Sequence, residues 1–152
     1  MRAQGSGRII NVSSVLGVIP DPFMAVYAAT KHAVEGFSES LDHEVREYGV
    51  RVLLVEPGYT SSQFEANAVA PDAPLPSYAA QRQVATEVLA TAMRDADDPT
   101  VVADVVVKAA THKSPRLRYA AGPIASRVTV LRRFVPSAAF DKQIRKLNRL
   151  PV

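Results

Sequence analysis

A tyrosine and a lysine four residues apart, Tyr27 and Lys31, follow a pair of serines, Ser13 and Ser14. Side chains four positions apart on a helix are neighbours. A tyrosine phenol has an ordinary pKa near ~10, and both a nearby ammonium and a helix N-terminus favour its deprotonated form. Such a phenol can exchange a proton with an alcohol or carbonyl oxygen, while a hydroxyl such as that of Ser14 hydrogen-bonds the same oxygen. The residue types therefore indicate acid/base chemistry at a carbon–oxygen bond.

The surrounding elements decide how informative this pattern is, because a Tyr-x-x-x-Lys spacing or a serine after a strand is common by itself. The apolar run in residues 8–14 (RIINVSS) predicts a short buried strand. Residues 26–48 follow the 3.6-residue period of a helix, which Gly49 should end. Residues 51–56 (RVLLVE) predict a second buried strand, closed by a Pro-Gly turn at 57–58.

A strand, a helix and a strand joined by short connections predict a βαβ unit with parallel strands. In a parallel sheet the carboxyl ends of the strands meet at one edge, where ligands bind. That edge should gather Ser14, Tyr27, Lys31 and the Pro57-Gly58 turn. Together these residues are stronger evidence for a site than any one of them alone.

One face of the predicted helix should pack against the sheet, and its acidic residues should cover the other faces. The packed face is expected to hold Tyr27, Lys31, Val34, Ser38, Leu41, Val45 and Tyr48. The acidic residues expected on the other faces include Glu35, Glu39, Asp42, Glu44 and Glu47.

The rest of the chain predicts further helices, one more strand and an irregular, proline-containing segment at 59–76. Asp97-Asp98-Pro99 has the composition of a helix start. The predicted elements are helices at 78–94 and 99–112, a strand at 117–121, and basic helices at 124–134 and 137–148. We therefore expect an α/β domain over residues 1–122, with residues 123–152 as its basic helical extension.

The composition is that of an ordinary globular domain, with 152 residues of which 47% are hydrophobic and 22% charged. The sequence has no cysteine, which excludes disulfides and thiolate chemistry and fits a cytoplasmic protein. No apolar run approaches the ~20 residues of a membrane span. His32, His43 and His112 do not have the spacing of metal ligands.

Charge is unevenly distributed along the chain. Residues 1–112 hold 8 Lys and Arg against 14 Asp and Glu, whereas residues 113–152 hold 10 against 1. The simplest interpretation of this basic tail is a solvated helical surface. A weak peripheral contact with an anionic membrane is the alternative, and nucleic acid is not expected as a partner because no recognition motif is present.

Three stretches within residues 5–62 resemble the short-chain dehydrogenase/reductase family of classical type: RIINVSSVLG, YAATKHAVEGFSESLDHEV and VRVLLVEPG. The family's strand-end Asn-x-Ser-Ser-x-x-Gly is similar to residues 11–17. Its Tyr-x-x-x-Lys is similar to Tyr27–Lys31, and its Pro-Gly turn to Pro57-Gly58. The resemblance implies a Rossmann-like, doubly wound parallel sheet between layers of helices.

The resemblance also implies an oxidoreductase that interconverts an alcohol and a carbonyl with NAD or NADP. The family's catalytic serine precedes its tyrosine by thirteen residues, which selects Ser14. Tyr27 would be the acid/base, and Lys31 would favour its phenolate and hydrogen-bond the nicotinamide ribose. The implied cofactor contacts are Tyr27, Lys31, Pro57, Gly58, Tyr59 and Thr60. The expected substrate is a bulky, apolar alcohol or ketone, with Tyr59, Phe64 and Tyr78 near it.

The family's glycine-rich dinucleotide loop and its catalytic asparagine, which lies on the helix before the serine strand, are absent from this sequence. We therefore expect the chain to be the C-terminal half of a longer domain, with Met1 an internal methionine. On this expectation the strand at 8–14 leaves an unpaired apolar edge. The isolated chain would then bind cofactor poorly, lack activity and aggregate, and a homo-oligomer would form only at full length.

Two alternatives stay open at this point. The chain could be a non-catalytic fragment or an interaction module, as the missing dinucleotide loop suggests. It could also belong to the nucleotide-sugar epimerases, which share the Tyr-x-x-x-Lys pattern. The serine spacing and the Val-Glu-Pro-Gly turn favour the dehydrogenase.

Overall fold

Residues 1–64, 66–69 and 71–151 are described by the structure, a computed structural model. Along these residues three strands and five α-helices follow one another. The strands are β1 (Gly7–Val12), β2 (Val50–Pro57) and β3 (Arg118–Ala121), and the helices are α1 (Ala25–Val45), α2 (Ala79–Met93), α3 (Pro99–Thr111), α4 (Pro123–Phe134) and α5 (Ser137–Leu147). Each predicted strand and helix is present, with small differences at the ends, but the prediction that the first strand is buried is wrong, because no residue of β1 is buried. The segment predicted to be irregular contains residues 65 and 70, which lie outside the described residues.

The three strands form one parallel sheet in the order β1-β2-β3. Val12 of β1 lies opposite Val55, and Leu54 lies opposite Arg118 of β3, so β2 is the central strand. Residues 52–55 are all 0% exposed. A continuous run of Val and Leu predicts this burial on both faces of a parallel strand. The βαβ unit and the α/β fold class are thereby confirmed.

One face of the sheet carries the apolar core. Leu53 and Val55 pack with Ala109 of α3 and with Tyr119 and Ala121 of β3. All five side chains are buried. Burying apolar surface contributes a favourable free energy of roughly 25 cal/mol per Å². This burial holds α3 against the sheet.

The opposite face packs against α1 and is more polar than predicted. The buried residues of α1 are Ala28, Glu35, Ser38 and Asp42. The prediction that Glu35 and Asp42 lie on solvent-facing sides of the helix is therefore wrong. Each of them has an arginine from a strand as its partner, Arg118 for Glu35 and Arg51 for Asp42. A periodicity rule places carboxylates outside because it cannot include partners that the fold brings from distant strands.

β1 lies at one edge of the described sheet and ends at Val12, two residues before the predicted end. The side chains of Ile9 and Val12 are exposed along this edge, as the sequence led us to expect. Ser13 and Ser14 therefore follow the strand rather than belong to it. Their positions are set by the turn that connects β1 to α1.

Candidate active site

Residues 13–17, here called the serine loop, follow the end of β1 and lead towards α1. The N–H of Ser13 donates a 2.7 Å hydrogen bond to the carbonyl of Val55, which continues the β1–β2 ladder past the end of the strand. Ser14 caps the 3₁₀ turn that follows, because its Oγ accepts a 3.1 Å hydrogen bond from the N–H of Leu16. Ser14 is buried, and this bond fixes its hydroxyl oxygen in place.

Tyr27 and Lys31 lie in the first two turns of α1, as predicted, and both are half-buried. The Nζ of Lys31 is 5.5 Å from the centroid of the Tyr27 ring. It also donates a 3.1 Å hydrogen bond to the carbonyl of Val12, the last residue of β1. Burial lowers the pKa of Lys31 below the ordinary value of a lysine. The bond to Val12 links α1 to the end of β1, and Ser14 follows that end by two residues. Ser14, Tyr27 and Lys31 therefore lie at the same end of β1.

An aromatic side chain packs against the ring of Tyr27. The ring centroids of Tyr27 and Phe64 are 5.1 Å apart with 62° between their planes, an edge-to-face arrangement. Burial raises the pKa of Tyr59, and the charge of Asp21 adds to the shift. Tyr78 is exposed. Phe64 is therefore the predicted substrate-side aromatic residue that the structure places against Tyr27.

The Pro-Gly turn, Pro57-Gly58, is held between β3 and α4. The N–H of Gly58 lies 3.4 Å from the carbonyl of Ala121. A Cβ added at Gly58 would lie 3.7 Å from the backbone nitrogen of Ala125, so the turn approaches α4 closely. Beyond it, Thr60 Oγ1 donates a 3.3 Å hydrogen bond back to the carbonyl of Gly58.

A second set of contacts anchors the segment after the turn. The N–H of Asp97 donates to the carbonyl of Tyr59 and the N–H of Ser61 donates to the carbonyl of Asp97, each at 2.9 Å. The Asp97 carboxylate packs on Gly122, which has a φ of 93° and where a Cβ would collide with that carboxylate. The backbone predicted to contact a cofactor, residues 57–60, is therefore fixed from both sides.

A charged cluster that was not predicted from the sequence lies beneath the serine loop. Arg118 Nε lies 3.0 Å from Glu35 Oε2 and 3.4 Å from Glu56 Oε1, and Arg118 Nη2 lies 3.0 Å from Glu39 Oε2. Burial raises the pKa of Glu56 to about 7; the charge of Glu35 adds to this shift and Arg118 opposes it. The one signal in the sequence is that Glu56 ends an apolar strand, RVLLVE.

Two other kinds of site receive no support from the part of the chain that the structure describes. Its His, Asp and Glu residues do not form a group of three or more that could hold a metal ion. Its helices are all too short or too polar to cross a membrane.

Comparison with known proteins gives consistent matches. Residues 1–73 match the profile of the short chain dehydrogenase family. An uncharacterized oxidoreductase of Schizosaccharomyces pombe is 37% identical over 145 residues, which cover 95% of this chain and 61% of that protein. A short-chain dehydrogenase structure from Streptomyces avermitilis has a TM-score of 0.71 and 29% identity, covering 98% of this chain and 52% of the other.

A further solved structure includes a nicotinamide cofactor. The short-chain dehydrogenase/reductase from Burkholderia phymatum, in complex with NAD, has a TM-score of 0.67 and 28% identity. The match covers 94% of this chain and 51% of that one. The chain thus spans 61% of the Schizosaccharomyces protein and about half of each solved chain.

Proposed function

Because this chain belongs to the short-chain dehydrogenase/reductase family, we propose that it carries the acid/base residues of an oxidoreductase. The proposed reaction interconverts an alcohol and a carbonyl, with NAD or NADP as the hydride carrier. The observation that best supports it is the 3.1 Å contact between Lys31 Nζ and the Val12 carbonyl. This contact brings the helix of Tyr27 to the strand end that leads to Ser14.

Each of the three residues has one task in this proposal. In the direction of reduction, the Tyr27 hydroxyl gives its proton to the substrate oxygen, and in oxidation it takes that proton back. The Lys31 ammonium, one helical turn away, stabilises the phenolate that is left. The Ser14 hydroxyl donates a hydrogen bond to the same substrate oxygen while its own oxygen accepts from Leu16.

The residues proposed to hold the cofactor have suitable donors and backbone. A bound nicotinamide would supply or accept the hydride at the substrate carbon. Lys31 suits a ribose because an ammonium has three donors, and one of them is used by Val12 in the described structure. Residues 57–60 suit a flat ring because their backbone is anchored by Ala121 and Asp97.

The side chains near Tyr27 favour a bulky, apolar substrate. Phe64, which packs on the Tyr27 ring, is 52% exposed. Exposed aromatic surface beside a few polar groups is typical of sites for apolar ligands. We therefore place a hydrophobic ketone or alcohol next to the three proposed residues.

The experiment is a hydride-transfer assay, followed by nicotinamide absorbance, on the protein at its natural length with aliphatic ketones and alcohols of increasing size. We expect Tyr27→Phe to lower kcat/KM by about 10²–10⁴-fold, because the proton donor is lost while the ring stays. Tyr48→Phe is the matched control, since it removes the same atom from an exposed tyrosine that follows α1. Full activity of Tyr27→Phe would contradict the proposal.

A further inference from the structure

Three buried side-chain oxygens in the described part of the chain have no hydrogen-bond partner: Ser13 Oγ, Glu35 Oε1 and Glu56 Oε1. All three residues are buried. They come from the serine loop, α1 and β2, which meet at this point. Buried polar oxygens without partners are unfavourable, so a proton that creates a donor in this region would stabilise it.

The same cluster touches every element that carries the proposed active site. A Cβ added at Gly17 would lie 2.7 Å from Ser13 Oγ and 3.2 Å from Glu35 Oε1, so the serine loop rests directly on Glu35 of α1. Glu56 is the residue immediately before the Pro-Gly turn. Arg118 Nε donates a 3.0 Å hydrogen bond to Glu35 Oε2, whereas its 3.4 Å contact with Glu56 Oε1 is an ion pair without hydrogen-bond geometry.

The charges do not balance if every carboxyl in the cluster is ionised. Arg118 is one cation facing three carboxyl groups, those of Glu35, Glu39 and Glu56. Glu39 is exposed, so water stabilises its charge. Glu35 and Glu56, here called the carboxyl pair, are buried and have like charges at close range when both are ionised. One proton on the carboxyl pair would remove that repulsion.

The remaining charged groups near Glu56 do not replace that proton. Arg116, which precedes β3, and Arg133 of α4 line a cavity of about 540 Å³ that Glu56 also borders. Their guanidinium groups lie over the rings of Tyr119 and Phe134. Both arginines are exposed, so solvent and salt screen their effect on the carboxyl pair.

We propose that the carboxyl pair shares one proton, and that this proton holds the serine loop and the Pro-Gly turn in their positions beside α1. A protonated carboxyl becomes a donor, which can bond the other carboxylate of the pair. Glu56 is then a positioning residue, since it acts through the turn and the loop without touching substrate. This role rests on the proposed function, whereas the shared proton does not depend on it.

The raised pKa of Glu56, about 7, agrees with the shared proton; its largest cause is burial, with Glu35 adding to the shift and Arg118 opposing it. The ordinary value is 4.5, so the folded protein holds this proton more tightly than the unfolded chain does. The resulting stabilisation is complete below about pH 4.5 and is lost as the pH rises through about 7. Above that pH the ionised pair repels beneath the serine loop.

The first test follows the side-chain carboxyl carbons of the glutamates by NMR as the pH is changed, in the protein at its natural length. We expect the Glu56 carbon to titrate with a midpoint near pH 7. Glu35→Gln should lower this midpoint because the neighbouring charge is gone, while burial, the larger cause, still holds it above the ordinary 4.5. Glu39→Gln removes the same charge beside the same Arg118 and should leave the midpoint near 7. An ordinary midpoint in the unmodified protein, or equal shifts in both variants, would overturn the shared proton.

The second test measures the pH profile of kcat/KM for the unmodified protein and for Glu56→Gln, whose amide stays neutral and can donate. We expect the unmodified protein to lose efficiency as the pH rises through about 7, and Glu56→Gln to lack this loss. Identical profiles would overturn the positioning role, even if the NMR titration supports the shared proton. The NMR titration needs no turnover, so it still decides the shared proton if Tyr27→Phe shows that the proposed function is wrong.

Discussion

The Nζ of Lys31 donates a 3.1 Å hydrogen bond to the carbonyl oxygen of Val12, a residue 19 positions earlier in the chain. Val12 is the last residue of β1, so its carbonyl lies at the point where the sheet ladder ends. The same ammonium lies 5.5 Å from the centroid of the Tyr27 ring. One side chain therefore links the helix to the end of the strand and places a positive charge beside the proposed acid/base.

This contact predicts a separation between activity and stability at Lys31. Lys31→Met keeps most of the side-chain length but removes the charge, so we expect kcat/KM to fall by about 10²-fold or more. The unfolding free energy should change by less than about 1 kcal/mol, because the lost bond is a single, partly exposed one. Activity and urea unfolding measured side by side would check this. Lys31→Met with unchanged kcat/KM would argue against a role for the ammonium.

The close approach at Gly17 predicts that one methyl group disturbs the serine loop. A Cβ there would stand 2.7 Å from Ser13 Oγ and 2.9 Å from Glu35 Cγ, so Gly17→Ala must displace the Ser13 side chain, the Glu35 side chain or the loop itself. We expect kcat/KM to fall by on the order of 10²-fold, since a displacement of about 1 Å has effects of this size. The steady-state assay on the purified variant measures it.

Gly36→Ala is the matched control for that variant. A Cβ at Gly36 has no atom within 4 Å, and the residue lies on the exposed side of α1. Replacing a helical glycine with alanine should stabilise the protein by about 1 kcal/mol and leave kcat/KM unchanged. Equal losses of kcat/KM in the two variants would show that the close approach at Gly17 is not the cause of the loss.

Asp42 should be a main source of stability on the polar face of α1. It is 0% exposed and accepts hydrogen bonds of 2.8 Å from both the N–H of Val52 and Nε of Arg51, and a further bond from Arg46. We expect Asp42→Asn to lower the unfolding free energy by about 1.5–3 kcal/mol, the range for hydrogen bonds to a charged group. The exposed Asp104→Asn on α3 should change it by less than about 0.5 kcal/mol.

The same carboxylate should contribute to acid unfolding. Burial by itself would raise the pKa of Asp42, but the bonds from Arg51, Arg46 and Val52 outweigh it and lower the pKa to about 2. A carboxyl with a lowered folded-state pKa stabilises the protein above its ordinary value of 3.8, and this stabilisation is lost as the pH falls through about 2. Urea unfolding between pH 5 and pH 2 should be less pH-dependent in Asp42→Asn. A slope equal to that of the unmodified protein would contradict this.

Phe23 has a backbone conformation that favours glycine. Its φ is 64°, and the N–H of Met24 donates a 3.2 Å bond to the carbonyl of Asp21, which closes a turn with Pro22 and Phe23 at its centre. We expect Phe23→Gly to be more stable than Phe23→Ala by about 1 kcal/mol, because only the alanine keeps a Cβ in the left-handed region. Urea unfolding of the two variants measures the difference directly. An alanine variant as stable as the glycine variant would show that the turn is unstrained.

The elements that carry the proposed site were predictable from local sequence patterns, whereas the choice of Ser14 over Ser13 came from the family resemblance. Ser14, Tyr27 and Lys31 are placed by a strand end and by a four-residue helical spacing, and both depend only on residues nearby in the chain. The buried run of β2 and the parallel pairing with β1 follow from apolar composition and short connections. The structure contains these features because secondary structure, and the position of strand ends at one edge of a parallel sheet, depend mainly on residues that are near in the chain.

The carboxyl pair was not predictable in this way. Arg118 Nε meets Glu35 across 83 residues of chain, and no periodicity links residues so far apart. Local composition and spacing are enough to predict the strand, the helix and the Pro-Gly turn of the site. The burial of Glu35, Asp42 and Glu56 depends on the tertiary fold, because a carboxylate can be buried only where the fold supplies an arginine, a backbone N–H or a proton to offset the loss of water.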